Sequence, residues 1–498
     1  MRDCVVFPNT NERWCQAKAS DKIIPQWSLR QSCLVVVKDC LLSWSRERGS
    51  PPVKPENAYD NPFLDYPIHL RQDLLDSLLR LKPDSRELLK AAELLVTSGI
   101  QDFNMMCLND CKFTDVAQVV RKLTAHGKSL RDLTLAGQWL YWELSKHLVH
   151  NLLESVSNLH RLWIQHTTKE GKELEIIARC CPKLKSLRIL HPSTDDDDLD
   201  DLVKLITSDP CTQRMRYNLK EFWLPSSVNA GGVMSILRAF PNVDSLSCTF
   251  LEDLLDIIEE NEDQKFWWKN RMEGLKQLRV VHPMGYDGVS RLVKWCPNLE
   301  AVSIEVQEDM DLKPLCNLTH LRSLELCNSP NLSASYPDDI QPIISTCGPR
   351  LLDLSLSRFD VLDLGKIAFH CPNLESLSVQ WFTLLGCKLP KKCNKPFSQL
   401  QFLRLRPRVS RKVAPEACEL LLTHSLKLHH LEIYCCYGLN DVLASKITKN
   451  NPLSELEILL LRHGHGLTSA GIRQLSLASH KLRVWDVGNV PIRPNEAE

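Results

Sequence analysis

Arg404, Arg406, Arg408, Arg411 and Lys412 crowd one short stretch of the chain. Guanidinium groups present paired donors that match carboxylate or phosphate oxygens, so this cluster could accept an acidic peptide or a phosphate. A solvated basic face reads the same way. His463 and His465 flank Gly464, with Cys435 and Cys436 one repeat earlier. No second ligand pair follows at zinc-finger spacing, and Cys107 and Cys111 belong to the first repeat, so no metal site is expected. The acidic run 195–198 precedes a helical segment, where negative charge favours the positive end of the helix dipole, and reads as a capping feature. There is no phosphate-binding glycine loop, no nucleophile elbow and no Cys/His arrangement suited to catalysis. The expectation is a non-enzymatic binding protein without a cofactor.

The elements that must position these residues come from one recurring phrase: leucine, two residues, leucine, one residue, leucine. Clear copies start at Leu184, Leu275, Leu299, Leu321, Leu351, Leu374, Leu400, Leu428, Leu456 and Leu482. Weaker copies start at Phe103, Leu130, Leu159, Leu219 and Val243. Starts fall about 27 residues apart, within the spacing of leucine-rich repeats. The expected fold is α/β: a leucine-rich-repeat solenoid with a parallel concave sheet and helices outside, preceded by an N-terminal helical module. Helices are expected over 199–208, 231–240, 287–296, 338–347, 415–426 and 469–479. One unit cannot bury its leucines alone, and stacking makes a continuous core. Two longer connections, 252–273 with Trp267 and Trp268, and 381–398 with Lys391, Lys392 and Lys395, are expected to project from the array as loops or extended helices.

The residue between paired leucines of a strand points away from the core. By that register Trp163, Arg188, Trp223, Arg279, Glu325, Arg404, Glu432 and Asp486 face the concave surface. So do Gln165, Glu305, Gln380, Arg406, Tyr434 and Arg462. Trp163, Trp223, Arg279, Arg404, Arg406, Glu432 and Arg462 are the candidate partner-binding residues. Exposed tryptophans on a rigid face are good anchors, although neighbouring repeats could simply cover them. Such a face permits an acidic peptide with an apolar anchor.

Lys and Arg together number 61 among 498 residues, as do Asp and Glu, so the formal charge is zero. Nucleic acid or an anionic membrane would usually demand a basic surplus, and neither is expected as a partner. The first residues contain no apolar signal region, and no apolar run is long enough to span a bilayer. A cytoplasmic or nuclear protein with its 20 cysteines reduced is expected. Cys181, Cys296 and Cys371 each precede a proline just before a repeat strand and read as small core residues.

Residues 1–24 are polar and aperiodic and read as a disordered tail, with a second short tail over 491–498. The helical module covers 25–98 and the repeat array 99–490. Ser28 is a plausible N-cap for a helix over 28–44. Leu29, Cys33 and Val37 share one stripe of it, yet Leu34, Val35, Val36, Leu41 and Leu42 make other faces apolar, so it must be covered on several sides. A proline-rich linker, 46–64, leads to a second helix opening at Tyr66, Pro67 and Ile68. Pro67 fits its first turn, and Leu70, Leu74, Leu75, Leu78 and Leu79 form its stripe. A third helix is expected over 85–97.

The spacing Ser28-Leu29-x-x-x-Cys33-x-x-x-Val37 resembles the BC box by which substrate receptors dock on Elongin C. Tyr66-Pro67-Ile68-x-Leu70-x-x-x-Leu74 resembles the cullin-2 box. The two in this order, followed by leucine-rich repeats, are similar to the VHL-box receptors of the ZYG and ZER family. The resemblance implies a substrate-recognition subunit of a cullin-RING ubiquitin ligase, with Leu29, Cys33 and Val37 contacting Elongin B/C. It also implies that Tyr66, Pro67, Ile68, Leu70 and Leu74 select cullin-2. The chain departs from that family in lacking an armadillo-like domain after the repeats, so the family's substrate class does not transfer. The repeats, with Cys-Pro before several strands, also resemble those of F-box receptors, which dock on the Skp adaptor and cullin-1. A solenoid cap with no ubiquitin role is the remaining reading of the N-terminal helices.

Overall fold

The computed structural model describes residues 66–488 apart from several short stretches, among them 166–171, 190–195, 409–412 and 463–465. The tails, the helix expected over 28–44 and the linker 46–64 lie outside the described residues. Within them, fifteen strands from Asp102–Asn104 to Val484–Gly488 form one parallel sheet in chain order. Fourteen grow from the copies of the leucine phrase as read, the weak ones at Leu130, Leu159, Leu219 and Val243 included. The first, Asp102–Asn104, corrects the expected copy at Phe103: Phe103 pairs with Leu133, the second leucine of its copy, so the first copy starts at Ile100 and buries Ile100, Phe103 and Met105. Alternation is the cause. Leu187 and Ile189, Leu324 and Leu326, and Leu403 and Leu405 point one way and are fully buried, in a single core running from Leu74 to Leu482. Parallel strands sit about 4.8 Å apart, whereas packed helices need about 8–10 Å, so the array curves with its sheet inside. The architecture is a leucine-rich-repeat solenoid.

Two backbone devices hold the register. At the N-terminal edge of the sheet, one carbonyl of each repeat accepts two successive N–H groups from the next. The Arg131 carbonyl takes those of His160 at 2.6 Å and Arg161 at 3.0 Å, and the His160 carbonyl takes those of Lys185 and Ser186. The pattern recurs from Gln101 to His429. Beside it, the side-chain amides of Asn158, Asn218, Asn242, Asn298 and Asn373 donate to carbonyls of the preceding repeat at 2.7–3.0 Å. Cys181, Cys296 and Cys371 are buried at the turns into their strands, and burial pushes each thiol up to about 12.

Outer helices include Ala230–Ala239, Gly288–Trp295, Gln341–Cys347, Pro415–His424 and Ser469–Ala478. The helix Asp196–Ser208 starts inside the acidic run rather than after it. The two long connections do not project as expected. Residues 252–273 fold back as parts of helices Leu251–Glu260 and Lys265–Glu273, because Trp268 is needed in the core: it is fully buried, while Trp267 is exposed. In the other connection, Leu384–Gly386 pairs in parallel with Val361–Asp363 as a small second sheet, and Phe397 is buried.

Helices Ile68–Leu81 and Ser85–Leu95 close the first repeat. Leu75, Leu78, Leu88, Ala92 and Leu95 share the core with Phe103. The Gln72 side chain covers the edge of the first strand: its amide donates to the Asp102 carbonyl at 2.9 Å and its carbonyl accepts from the Gln101 N–H at 3.1 Å. A bare strand edge invites pairing with another chain, and this contact blocks it.

Candidate functional site: the concave face

The register places Trp163, Arg188 and Trp223 side by side on neighbouring strands, followed by Ser247 and Arg279. Trp223 is clasped by two guanidiniums. Arg188 lies 3.8 Å from its ring centroid and Arg279, reaching across Ser247, 5.1 Å. Arg188 is held by Glu221, with Nη2 2.6 Å from Oε1. Arg279 is exposed and makes no ion pair among the described residues. Its donors are therefore available to a partner.

A second patch lies on the last repeats. Arg406 has Trp381 on one side, 4.9 Å to the ring centroid, and Tyr434 on the other at 5.1 Å. Arg462 lies 5.9 Å from Tyr434, so ring and guanidinium alternate across four repeats. Trp381 joins the stack because the strand slips register between Gln380 and Phe382, with Trp381 at a positive φ of 59°. A bulge re-aims one side chain, and here it adds an aromatic to the face. Below the stack, Arg404 Nε donates to Glu432 at 2.6 Å, with His430 Nε2 at 3.7 Å. Burial alone would raise the Glu432 carboxyl, but His430, Arg404 and Tyr434 outweigh it and hold it at about 2. Arg406 makes no ion pair among the described residues.

Between the patches the face is small and acidic. Ser303, Glu325, Ser355 and Ser378 follow one another across the sheet, beside Glu305, Cys327 and Ser357. Asp353 lies at the exposed edge, and Arg358 is placed near Cys327 with Glu305 and Glu325.

Two expected face residues are corrected. Gln165 and Glu432 are buried. Gln165 accepts the Gly137 N–H at 2.9 Å, and Glu432 anchors Arg404, so both hold the frame. Trp163, Trp223, Arg404, Arg406 and Arg462 are half-buried. The basic cluster divides: Arg404 and Arg406 face the concavity, Arg408 pairs with Asp360 at 3.3 Å, and Arg411 and Lys412 lie outside the described residues. His463 and His465 also lie outside them, as does Cys436; among the described residues no group of three or more His, Cys, Asp or Glu could hold a metal ion.

The N-terminal motif residues fall into two groups. Leu29, Cys33 and Val37 lie outside the described residues. Leu74, assigned by resemblance to cullin contact, is 1% exposed in the protein's own core, which removes it from any outward contact. Pro67 and Ile68 are exposed, Tyr66 and Leu70 half-buried. Pro67 precedes the helix instead of occupying its first turn, and its carbonyl accepts the N–H groups of Leu70 and Arg71 at 2.9 and 3.1 Å. Ile68 and Gln72 line an open groove of about 730 Å³ together with Asp73, Asp102, Lys128, Arg131, His160 and Lys183.

No family model matches the chain, and no curated relative matches it. Among solved structures it is similar to an internalin from Listeria monocytogenes, with 16% identity, 69% of this chain and 78% of that one covered, and a TM-score of 0.31. It is also similar to the yeast complex of Rad7 and Elc1, with 14% identity, coverage of 95% and 96%, and a TM-score of 0.40. At these values neither likeness bears on function. Among the described residues no helix is long and apolar enough to cross a membrane.

Proposed function

We propose that the chain is a substrate receptor of a cullin-RING ubiquitin ligase, working in the cytoplasm or nucleus. Its repeat array holds the protein to be ubiquitinated, and its N-terminal module docks on Elongin B/C and cullin-2. The supporting observation is how the helix Ile68–Leu81 divides its apolar residues. Leu74, Leu75 and Leu78 satisfy the core, yet Pro67 and Ile68 stay exposed beside an open groove. Pro67 and Ile68 thus offer an apolar start outside the core that a docking partner could cover. The array then contributes position, not catalysis: it holds a partner while another subunit does the chemistry.

Affinity purification with mass spectrometry tests this. Elongin B/C and cullin-2 are expected with the intact chain. Leu29→Ala with Cys33→Ala is expected to lose the adaptor, since truncating a buried anchor costs about 2–4 kcal/mol. Pro67→Ala with Ile68→Ala is expected to lose the cullin and keep the adaptor. Recovery of the Skp adaptor and cullin-1 would move the protein to the F-box class, and recovery of neither would leave a scaffold.

A further inference from the structure

Resting on the reading of the concave face as the partner-binding surface, we infer that it takes one extended acidic protein segment at two points, Arg279 and Arg406, with a basic or neutral stretch between them. Both arginines lie against aromatic rings, Arg279 on Trp223 and Arg406 between Trp381 and Tyr434. Neither makes an ion pair among the described residues, whereas neighbouring Arg188 and Arg404 are neutralised by Glu221 and Glu432. A stacked guanidinium has its flat faces satisfied and its N–H edge free, and the ring contact restricts the side chain before any ligand arrives. That edge fits the two oxygens of a carboxylate.

The region between argues for one ligand over two. Glu305, Glu325 and Asp353 lie there with Arg358, a net negative stretch between two positive ends. The complementary segment is acidic, then basic or neutral, then acidic. Five strand steps separate Arg279 from Arg406, about 24 Å along the sheet, which about seven extended residues span. The small side chains of Ser303, Ser355 and Ser357 keep that path open to backbone. Two sites engaged by one segment reinforce each other through effective concentration, so charge spacing becomes the readable signal.

The test is fluorescence anisotropy of the full-length chain with labelled synthetic peptides. The probe carries a Glu pair at each end, seven residues apart, with two lysines between. Controls carry the same residues scrambled, or acidic pairs three residues apart. Both controls are expected to bind at least tenfold more weakly. Arg279→Gln and Arg406→Gln are each expected to weaken the probe about tenfold, with unchanged melting temperature. Arg406→Lys, which keeps the charge and loses the planar stack, is expected to fall between Arg406→Gln and the parent. Equal binding by the scrambled peptide, or no effect of either substitution, overturns the inference. Tenfold tighter binding when phosphoserine replaces glutamate overturns the assignment to carboxylates. Adaptor recovery is measured on the same variants: retained adaptor with lost spacing dependence rejects this inference alone, and adaptor lost from the parent chain rejects the receptor reading instead.

Discussion

The two ends of the concave face use the same residue types in opposite order. On the early repeats a tryptophan, Trp223, is clasped by two arginines; on the late repeats an arginine, Arg406, is clasped by two aromatics. In the first arrangement the partner-facing group is the outer member, and Arg279 is exposed with one ring beneath it. In the second the partner-facing group is the inner member and is fixed from both sides. The late patch has therefore met more of its ordering cost in advance, while the early patch keeps more freedom to adapt. Their edges differ as well. The outer row is charged and polar from the first strand through the early patch, with Asp102, Asp132, Arg161, Ser186 and Glu221, and the same row at the late end carries Phe402, His430, Ile458 and Val484.

The comparison holds only if the patches differ in surface and not in support. Leu187→Ala and Leu405→Ala remove equally buried leucines beneath them and are each expected to cost about 2–5 kcal/mol in urea unfolding. A difference well above 1 kcal/mol would mean that the supports themselves differ. A smaller effect separates the two ion pairs. Arg404→Met leaves Glu432, 9% exposed, without its main partner, at an expected cost of about 1–3 kcal/mol. Arg188→Met leaves Glu221, 19% exposed, and should cost less than about 1 kcal/mol. The sign with pH follows from Glu432. Its carboxyl is held well below 4.5, so its contribution is complete above that value and is lost as pH falls towards 2. The gap between parent and Arg404→Met should close over that window. The smallest effect lies on the early edge. Burial and the neighbouring Asp132 raise Asp102 to about 6, so ionising it opposes folding fully above that pH and not at all below 3.8. Asp102→Asn should raise the melting temperature at pH 7.5, by an amount equivalent to at most about 0.5 kcal/mol, with the gain vanishing near pH 4.

The sheet was legible because its leucines alternate with period two, and even the weak phrases at Leu219 and Val243 became strands in register. Trp381 was not legible as a face residue. Alternation places it beyond the strand, and the bulge between Gln380 and Phe382 that returns it leaves no trace in a period-two pattern. Register reports direction only and so points Gln165 and Glu432 outward; whether a polar side chain finds a partner before it finds water depends on the next repeat. Trp268 was misplaced for the complementary reason, since a long connection gives no sign of which of two adjacent tryptophans the core will take. The exposure of Ile68 and the burial of Leu74 are likewise inseparable within the motif Tyr66-Pro67-Ile68-x-Leu70-x-x-x-Leu74, because the groove beside Ile68 involves residues far along the chain.

The paired carbonyl bonds along the N-terminal edge of the sheet have an evolutionary consequence. Because backbone carries the register from repeat to repeat, most side chains between the leucines contribute nothing to folding that another side chain could not replace. Drift can rewrite which partner the array prefers in single steps, each nearly neutral for stability. Gln165 and the Arg404–Glu432 pair are exceptions. A change there requires a new acceptor for Gly137 or a new partner for the charge left behind at the same time, so these positions should be among the slowest to diverge on the face.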